Sequence, residues 1–130
     1  MVKRPVVHPP TASVGELRAF FDDDHVHMAL LVADGILVAA VEREDLAAAT
    51  CDALPALELG PLGGRTVAAD TSLGDALAAM RRDGRRRLAV TGAGERLLGL
   101  LCLKASGRGF CSDADVSGRR GAASADADFA

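Results

Sequence analysis

The sequence predicts an α/β (α+β) chain of two pseudo-symmetric repeats, each a small β-sheet with flanking helices, packed against one another through their sheets. Three observations predict this. Ser13-Val14-Gly15-Glu16 recurs as Ser72-Leu73-Gly74-Asp75, 59 residues later, and self-similarity at a fixed spacing marks a repeated unit. The same order of apolar runs, strand–helix–strand–strand, surrounds each copy. A unit of about 60 residues buries little surface by itself, so two packed face to face would share a core.

Each repeat opens on a short strand, Val6-Val7-His8 in the first and Arg65-Thr66-Val67-Ala68 in the second. The two Ser-x-x-acid segments then read as capping boxes, in which serine accepts a first-turn N–H and the acid reaches back. The first helix sets Val14, Leu17, Phe20 and Phe21 on one side; the second sets Leu73, Ala76, Leu77 and Met80 there. Such spacing suits a helix with one buried stripe. Gly84 is placed to end the second helix in the left-handed conformation.

Met28–Val32 and Ile36–Val41 read as a hairpin joined by Ala33-Asp34-Gly35, and Leu88–Thr91 and Leu97–Leu101 as its counterpart across Gly92-Ala93-Gly94-Glu95. One extra residue near Gly84 changes the offset to 60, which sets Ala29 against Ala89, Leu37 against Leu97 and Val38 against Leu98. Arg43–Leu54 reads as a further helix that Pro55 ends, and Pro55–Gly64 as the linker. The second repeat lacks a good second helix. The expected units are residues 1–60, residues 61–106 and a C-terminal tail, 107–130, whose Gly, Ser, Ala and Asp favour disorder. Phe110 and Cys111 are the tail residues suited to dock on the body.

The doubled order of pieces resembles a tandem pair of CBS domains (cystathionine β-synthase motifs), a Bateman module, over residues 5–106. Thr11-Ala12-Ser13-Val14-Gly15-Glu16-Leu17 is similar to the family's T-x-S-V-x-E-A, and Gly35–Leu46 to G-x-L-V-G-I-V-T-x-x-D-L. Asp70–Leu77 is similar to D-T-S-V-x-E-A-L, Arg87-Leu88-Ala89-Val90 to R-L-P-V, and Arg96–Cys102 to x-L-V-G-I-V-T. The resemblance implies a stand-alone, non-enzymatic regulatory protein that forms a homodimer. It implies an adenosine-type ligand (AMP, ADP, ATP or S-adenosylmethionine) in the clefts between repeats. The family's aspartate grips the ribose hydroxyls, and its Thr or Ser receives phosphate; a carboxylate is suited to accept both protons of a diol. Carried over, this makes Asp45, Glu42, Val41, Val7, Met28, Ala29, Leu30 and Arg87 the candidate ligand-binding residues. With Trp and Tyr absent, adenine would pack on aliphatic side chains such as Val7, Met28 and Leu30.

Two departures bear on that expectation. Glu42 replaces the phosphate-facing hydroxyl, and its charge repels phosphate, which favours a neutral ligand or an empty site. In the second repeat Cys102 and Ala105 stand where the hydroxyl and the aspartate belong, so that site reads as degenerate. The competing reading is therefore a ligand-free CBS protein acting through its dimer and surface contacts.

Arg81, Arg82, Arg85, Arg86 and Arg87 form the densest charge on the chain. They read either as an anion clamp, which the planar guanidinium suits, or as a solvated helix end offsetting the dipole. The matching stretch, Asp22–Asp24, has the opposite sign, so an acidic corner of one subunit is expected to meet a basic corner of another. His25 and His27 read as polar residues at a strand edge rather than metal ligands, and Cys102 as a small core residue. No hydrolase, P-loop or zinc-protease motif occurs.

Composition narrows the partners. The net charge is −3, without a basic field for DNA or an anionic membrane. No apolar run approaches the roughly 18 residues of a membrane span, and residues 1–10 lack the apolar stretch of a secretory signal. Three cysteines without CxxC spacing read as thiols of a reducing cytoplasm.

Overall fold

A computed structural model describes residues 2, 3 and 5–103. The order is β1 (Val7–His8), α1 (Val14–Phe20), β2 (Met28–Ala33), β3 (Ile36–Glu42), α2 (Arg43–Ala47), β4 (Thr66–Ala68), α3 (Leu73–Asp83), β5 (Arg87–Thr91) and β6 (Leu97–Cys102). They form two three-stranded sheets, β1-β2-β3 and β4-β5-β6. In each, the leading strand runs parallel to the next, and a hairpin adds the third antiparallel. The described body is thus the predicted pair of half-sized units. The expectations for 107–130, including Phe110 and Cys111, lie outside the described residues.

Local chemistry explains the helix starts. Ser13 Oγ accepts from the Glu16 amide while Glu16 Oε1 accepts from the Ser13 amide, both at 3.2 Å. Ser72 Oγ accepts from the Asp75 amide at 3.1 Å. Gly84, at φ 68°, ends α3 in the left-handed conformation. Asp34 and Gly35 both have positive φ, the geometry of a type I′ hairpin turn.

The strands alternate between two environments. Ala29, Leu31, Ala39 and Val41 pack with Val14, Leu17, Phe21 and Leu46 from the helices of the first repeat. Leu88, Val90 and Leu101 pack with Ala76 and Met80 of α3. The opposite faces meet: Met28, Leu30, Leu37 and Ala40 of the first sheet close on Ala89, Leu100 and Cys102 of the second. Val2 joins that shared core and bonds Leu100 through both its N–H and C=O, each at 2.8 Å, so the chain's start pairs with the far sheet.

Three expectations are corrected. The helix predicted over Arg43–Leu54 ends at Ala47. Arg18 donates to the carbonyls of Leu46 and Ala49 and pairs with Asp52. The carbonyls of Asp52 and Leu54 then accept from Gly15 and Val14, the α1 amides that have no partner within their own helix. Second, Leu73 lies outside the buried stripe at 60% exposed; it is the first residue of α3, and burial begins a turn later at Ala76. Third, the extra residue of the second repeat sits in the Gly92–Arg96 turn rather than near Gly84. Val7 pairs with Leu30 and Thr66 with Ala89, so the 59-residue offset persists through β5. Val32 pairs with Leu37 and Thr91 with Leu97, which brings the offset to 60 only in the last strand. Ala29 therefore faces the helices while Ala89 faces the shared core, because a one-residue slip moves a side chain across the sheet.

Gly60 packs directly on β3. A Cβ there would lie 2.6 Å from Val41 Cγ2 and 2.9 Å from the Ala40 carbonyl. Gly60→Ala is expected to destabilise the protein by about 2 kcal/mol, the usual scale of overpacking, measured as a lower urea midpoint with an unchanged slope.

Candidate functional site

The end of β3 and the start of α2 present Glu42 and Asp45, the residues marked in the sequence for phosphate and ribose. Asp45 Oδ2 accepts from the Glu42 amide at 2.7 Å, which closes the first turn of α2. Its carboxylate also receives both ends of one guanidinium. Arg65 Nη1 donates to Oδ2 at 2.5 Å and Nη2 to Oδ1 at 3.1 Å. Arg65 is 8% exposed and donates again to the Ala40 carbonyl at 2.8 Å.

Glu42 is gripped from the other repeat. Arg85, released from α3 by the left-handed Gly84, donates from Nε to Oε2 at 2.9 Å and from Nη2 to Oε1 at 3.1 Å. Arg65 Nε lies 3.2 Å from Glu42 Oε1, within ion-pair distance but without hydrogen-bond alignment. Two carboxylates and two guanidiniums thus form one closed, largely buried network. Glu42 does not present the bare negative charge expected from the sequence; Arg85 and Arg65 neutralise it. Arg65 had no assigned role in the sequence. A signal was available: at the 59-residue offset its counterpart is Val6, so a charge stands where the other repeat has an aliphatic residue.

Beside this network a cavity of about 390 Å³ opens between the repeats. It is lined by His27, Glu42 and Glu44 from the first and by Asp83, Gly84, Arg85, Arg86 and Arg87 from the second. Small-molecule sites span roughly 300–1,000 Å³. Arg87, a sequence candidate, is here: it is 2% exposed and donates to the His25 carbonyl at 3.3 Å. Arg86 Nη1 meets His27 Nε2 at 3.4 Å and Nη2 donates to the Leu103 carbonyl at 3.3 Å. Among the other candidates, Val7 is half-exposed on β1, whereas Met28, Ala29, Leu30 and Val41 are fully buried in the two cores. An adenine would reach those four only by opening the core.

His27 reports the electrostatics of the cavity. Burial, then the charges of Arg87, Arg86, Arg43 and His25, push it down to about 4. Its proton affinity is lower folded than unfolded, so between pH 6.5 and about 4 the unfolded chain binds more protons. Stability contributed by neutral His27 is complete above pH 6.5 and is lost as pH falls through that window. Urea melts at pH 7 and pH 4.5 should show a smaller acid loss for His27→Gln than for the parent chain.

The Arg81–Arg87 corner is met within the chain. Arg82 bonds Asp83 at 3.1 Å, and Arg85 and Arg86 engage Glu42 and His27 as above. His25 Nδ1 bonds Asp23 at 3.1 Å, so the two histidines face different partners in the loop before β2. Cys102 is fully buried in the shared core, as expected, and Cys51 is exposed. Among the described residues no helix is long and apolar enough to cross a membrane, and no cluster of three metal-binding side chains occurs.

The family model for the CBS domain matches residues 65–105. The chain carries a CBS domain. The described body as a whole has the fold of a CBS-domain pair. It is similar to a conserved CBS domain protein of Thermoplasma acidophilum, with 18% identity over 90% of this chain and 69% of that one, and a TM-score of 0.67. It is similar to a CBS domain protein of Pyrobaculum aerophilum complexed with AMP, with 25% identity over 79% and 87% and a TM-score of 0.62. It is also similar to the cytosolic domain of the Mg2+ channel MgtE in complex with ATP, with 19% identity over 76% and 42% and a TM-score of 0.61. Among curated protein sequences nothing matches. The second repeat is the one that carries the family match, and β4, β5 and β6 lie inside it.

Proposed function

We propose that this CBS pair is a non-catalytic regulatory module that binds an adenosine-type ligand through its phosphate, in the cavity between the repeats. The observation that carries this reading is the cavity itself. It spans both repeats, and three consecutive arginines line one wall. AMP and ATP in two proteins of the same fold support the ligand class. Arg85 and Arg86 are the residues suited to receive phosphate, because a guanidinium offers paired donors to its oxygens. Asp45 holds Arg65, and its part is to organise the wall rather than to grip ribose. A ligand that draws the two walls together shifts the tilt between the repeats, which a partner protein reads.

The second reading, a ligand-free CBS protein acting through dimer and surface contacts, is favoured by one observation: the carboxylate expected to take ribose is already satisfied by Arg65 and the Glu42 amide. Thermal shift separates the two, with AMP, ADP, ATP, S-adenosylmethionine, NADH and adenosine. Ligand at 100 times its Kd stabilises by about 2.7 kcal/mol, which is on the order of 10 °C for a domain of this size. A shift with the phosphorylated compounds that Arg86→Gln abolishes supports the sensor. A flat panel supports the interaction protein.

A further inference from the structure

The network around Glu42 has unequal bonds, and the inequality decides which one a ligand is able to break. Asp45 is satisfied without Arg85, since Arg65 and the Glu42 amide fill both its oxygens. Glu42 has two cations nearby. Arg85 makes two aligned hydrogen bonds to it, and Arg65 Nε stands 3.2 Å away, buried and without a hydrogen-bond partner. Taking Arg65 away would leave the half-buried Asp45 carboxylate without a cation, held only by the Glu42 amide. If Arg85 turns away, Glu42 still keeps a guanidinium, and Arg65 Nε gains the acceptor it lacks. Arg85 is therefore the exchangeable member. Both Arg85 and Glu42 line the cavity.

We propose that Glu42 is an internal competitor for Arg85: a phosphate-bearing anion enters the cavity by taking Arg85 from Glu42, and in doing so undoes the bidentate ion pair that joins the two repeats. This rests on the phosphate-binding reading of the cavity and adds what controls it. Apparent affinity is lowered by the fraction of time Arg85 is engaged elsewhere. A carboxylate with two aligned bonds is displaced best by an acceptor of higher charge, so selection favours di- and triphosphates over a monoanion. Whatever stabilises the Glu42–Arg85 pair therefore weakens the ligand, by up to the same factor.

The test is calorimetric titration of the full chain with ATP and with inorganic tripolyphosphate at fixed ionic strength. Four proteins are compared: the parent, Glu42→Gln, Glu42→Asn and Glu44→Gln. Glu44 lines the same cavity and its loss removes the same charge, but it makes no bond to Arg85. Thermal melts confirm folding, and Glu42→Asn keeps a residue suited to start α2 should Glu42→Gln fail to fold. The expected result is binding about tenfold tighter in either Glu42 variant and less than twofold changed in Glu44→Gln. Equal gains at Glu42 and Glu44 would mean general electrostatics and overturn the competition, as would unchanged or weaker binding in the Glu42 variants; both outcomes leave the cavity reading standing. No binding of either anion to any of the four proteins would overturn the competition together with the cavity reading.

Discussion

Arg65→Met is expected to destabilise the protein by about 3–5 kcal/mol, the scale for removing one partner of a buried ion pair. The substitution keeps much of the side-chain volume but leaves Asp45 without its cation, strips the second cation from Glu42 and empties the bond to the Ala40 carbonyl. At roughly 4–8 °C per kcal/mol for a body of about 100 residues, the melting temperature should fall by more than about 12 °C. The cause is the uncompensated carboxylate, so Arg65→Met with Asp45→Asn should recover a substantial part of the loss. A melting temperature for Arg65→Met within about 2 °C of the parent would show that the network contributes nothing. Failure of the second substitution to recover any stability would place the effect in packing instead.

Leu30→Ala and Leu100→Ala are each expected to cost about 3 kcal/mol, since both side chains are fully buried and large-to-small changes in a core run from 2 to 5 kcal/mol. The more informative outcome is cooperativity. Leu30 belongs to the first sheet and Leu100 to the second, yet they share one core. Either change should lower a single transition seen alike by circular dichroism and by intrinsic phenylalanine or amide signals. Two separate transitions, one moved by each variant, would show that the repeats fold independently.

Much of the fold was legible because its determinants are local. Ser13-x-x-Glu16 marks a helix start in the sequence itself, since both halves of the box lie within one turn. Asp34-Gly35 turns a hairpin because both residues tolerate positive φ. The repeat followed from these recurring at a near-constant spacing. The helix predicted over Arg43–Leu54 failed past Ala47 for the opposite reason: Arg18, from across the repeat, takes the Leu46 and Ala49 carbonyls that a continuing helix would give to its own amides. The alignment of Ala29 with Ala89 failed because sequence similarity does not locate an inserted residue to within one position, and one position is enough to change the face.

The candidate residues were named from the sequence, but their surroundings were not legible there. Glu42 and Arg87 line the cavity between the repeats, and Asp45 belongs to the ion-pair network beside it. Met28, Ala29, Leu30 and Val41 are its neighbours in sequence or register but belong to the cores. By itself the sequence determined the two units, their helix starts and turns, and the apolar stripes that would need covering, because these depend on residues within a few positions of one another. Only the tertiary structure decided that Arg65 and Arg85 neutralise Asp45 and Glu42, because those partners lie 20 and 43 residues away. The strength of a charge is a property of what the fold sets beside it, and no spacing along the chain records that.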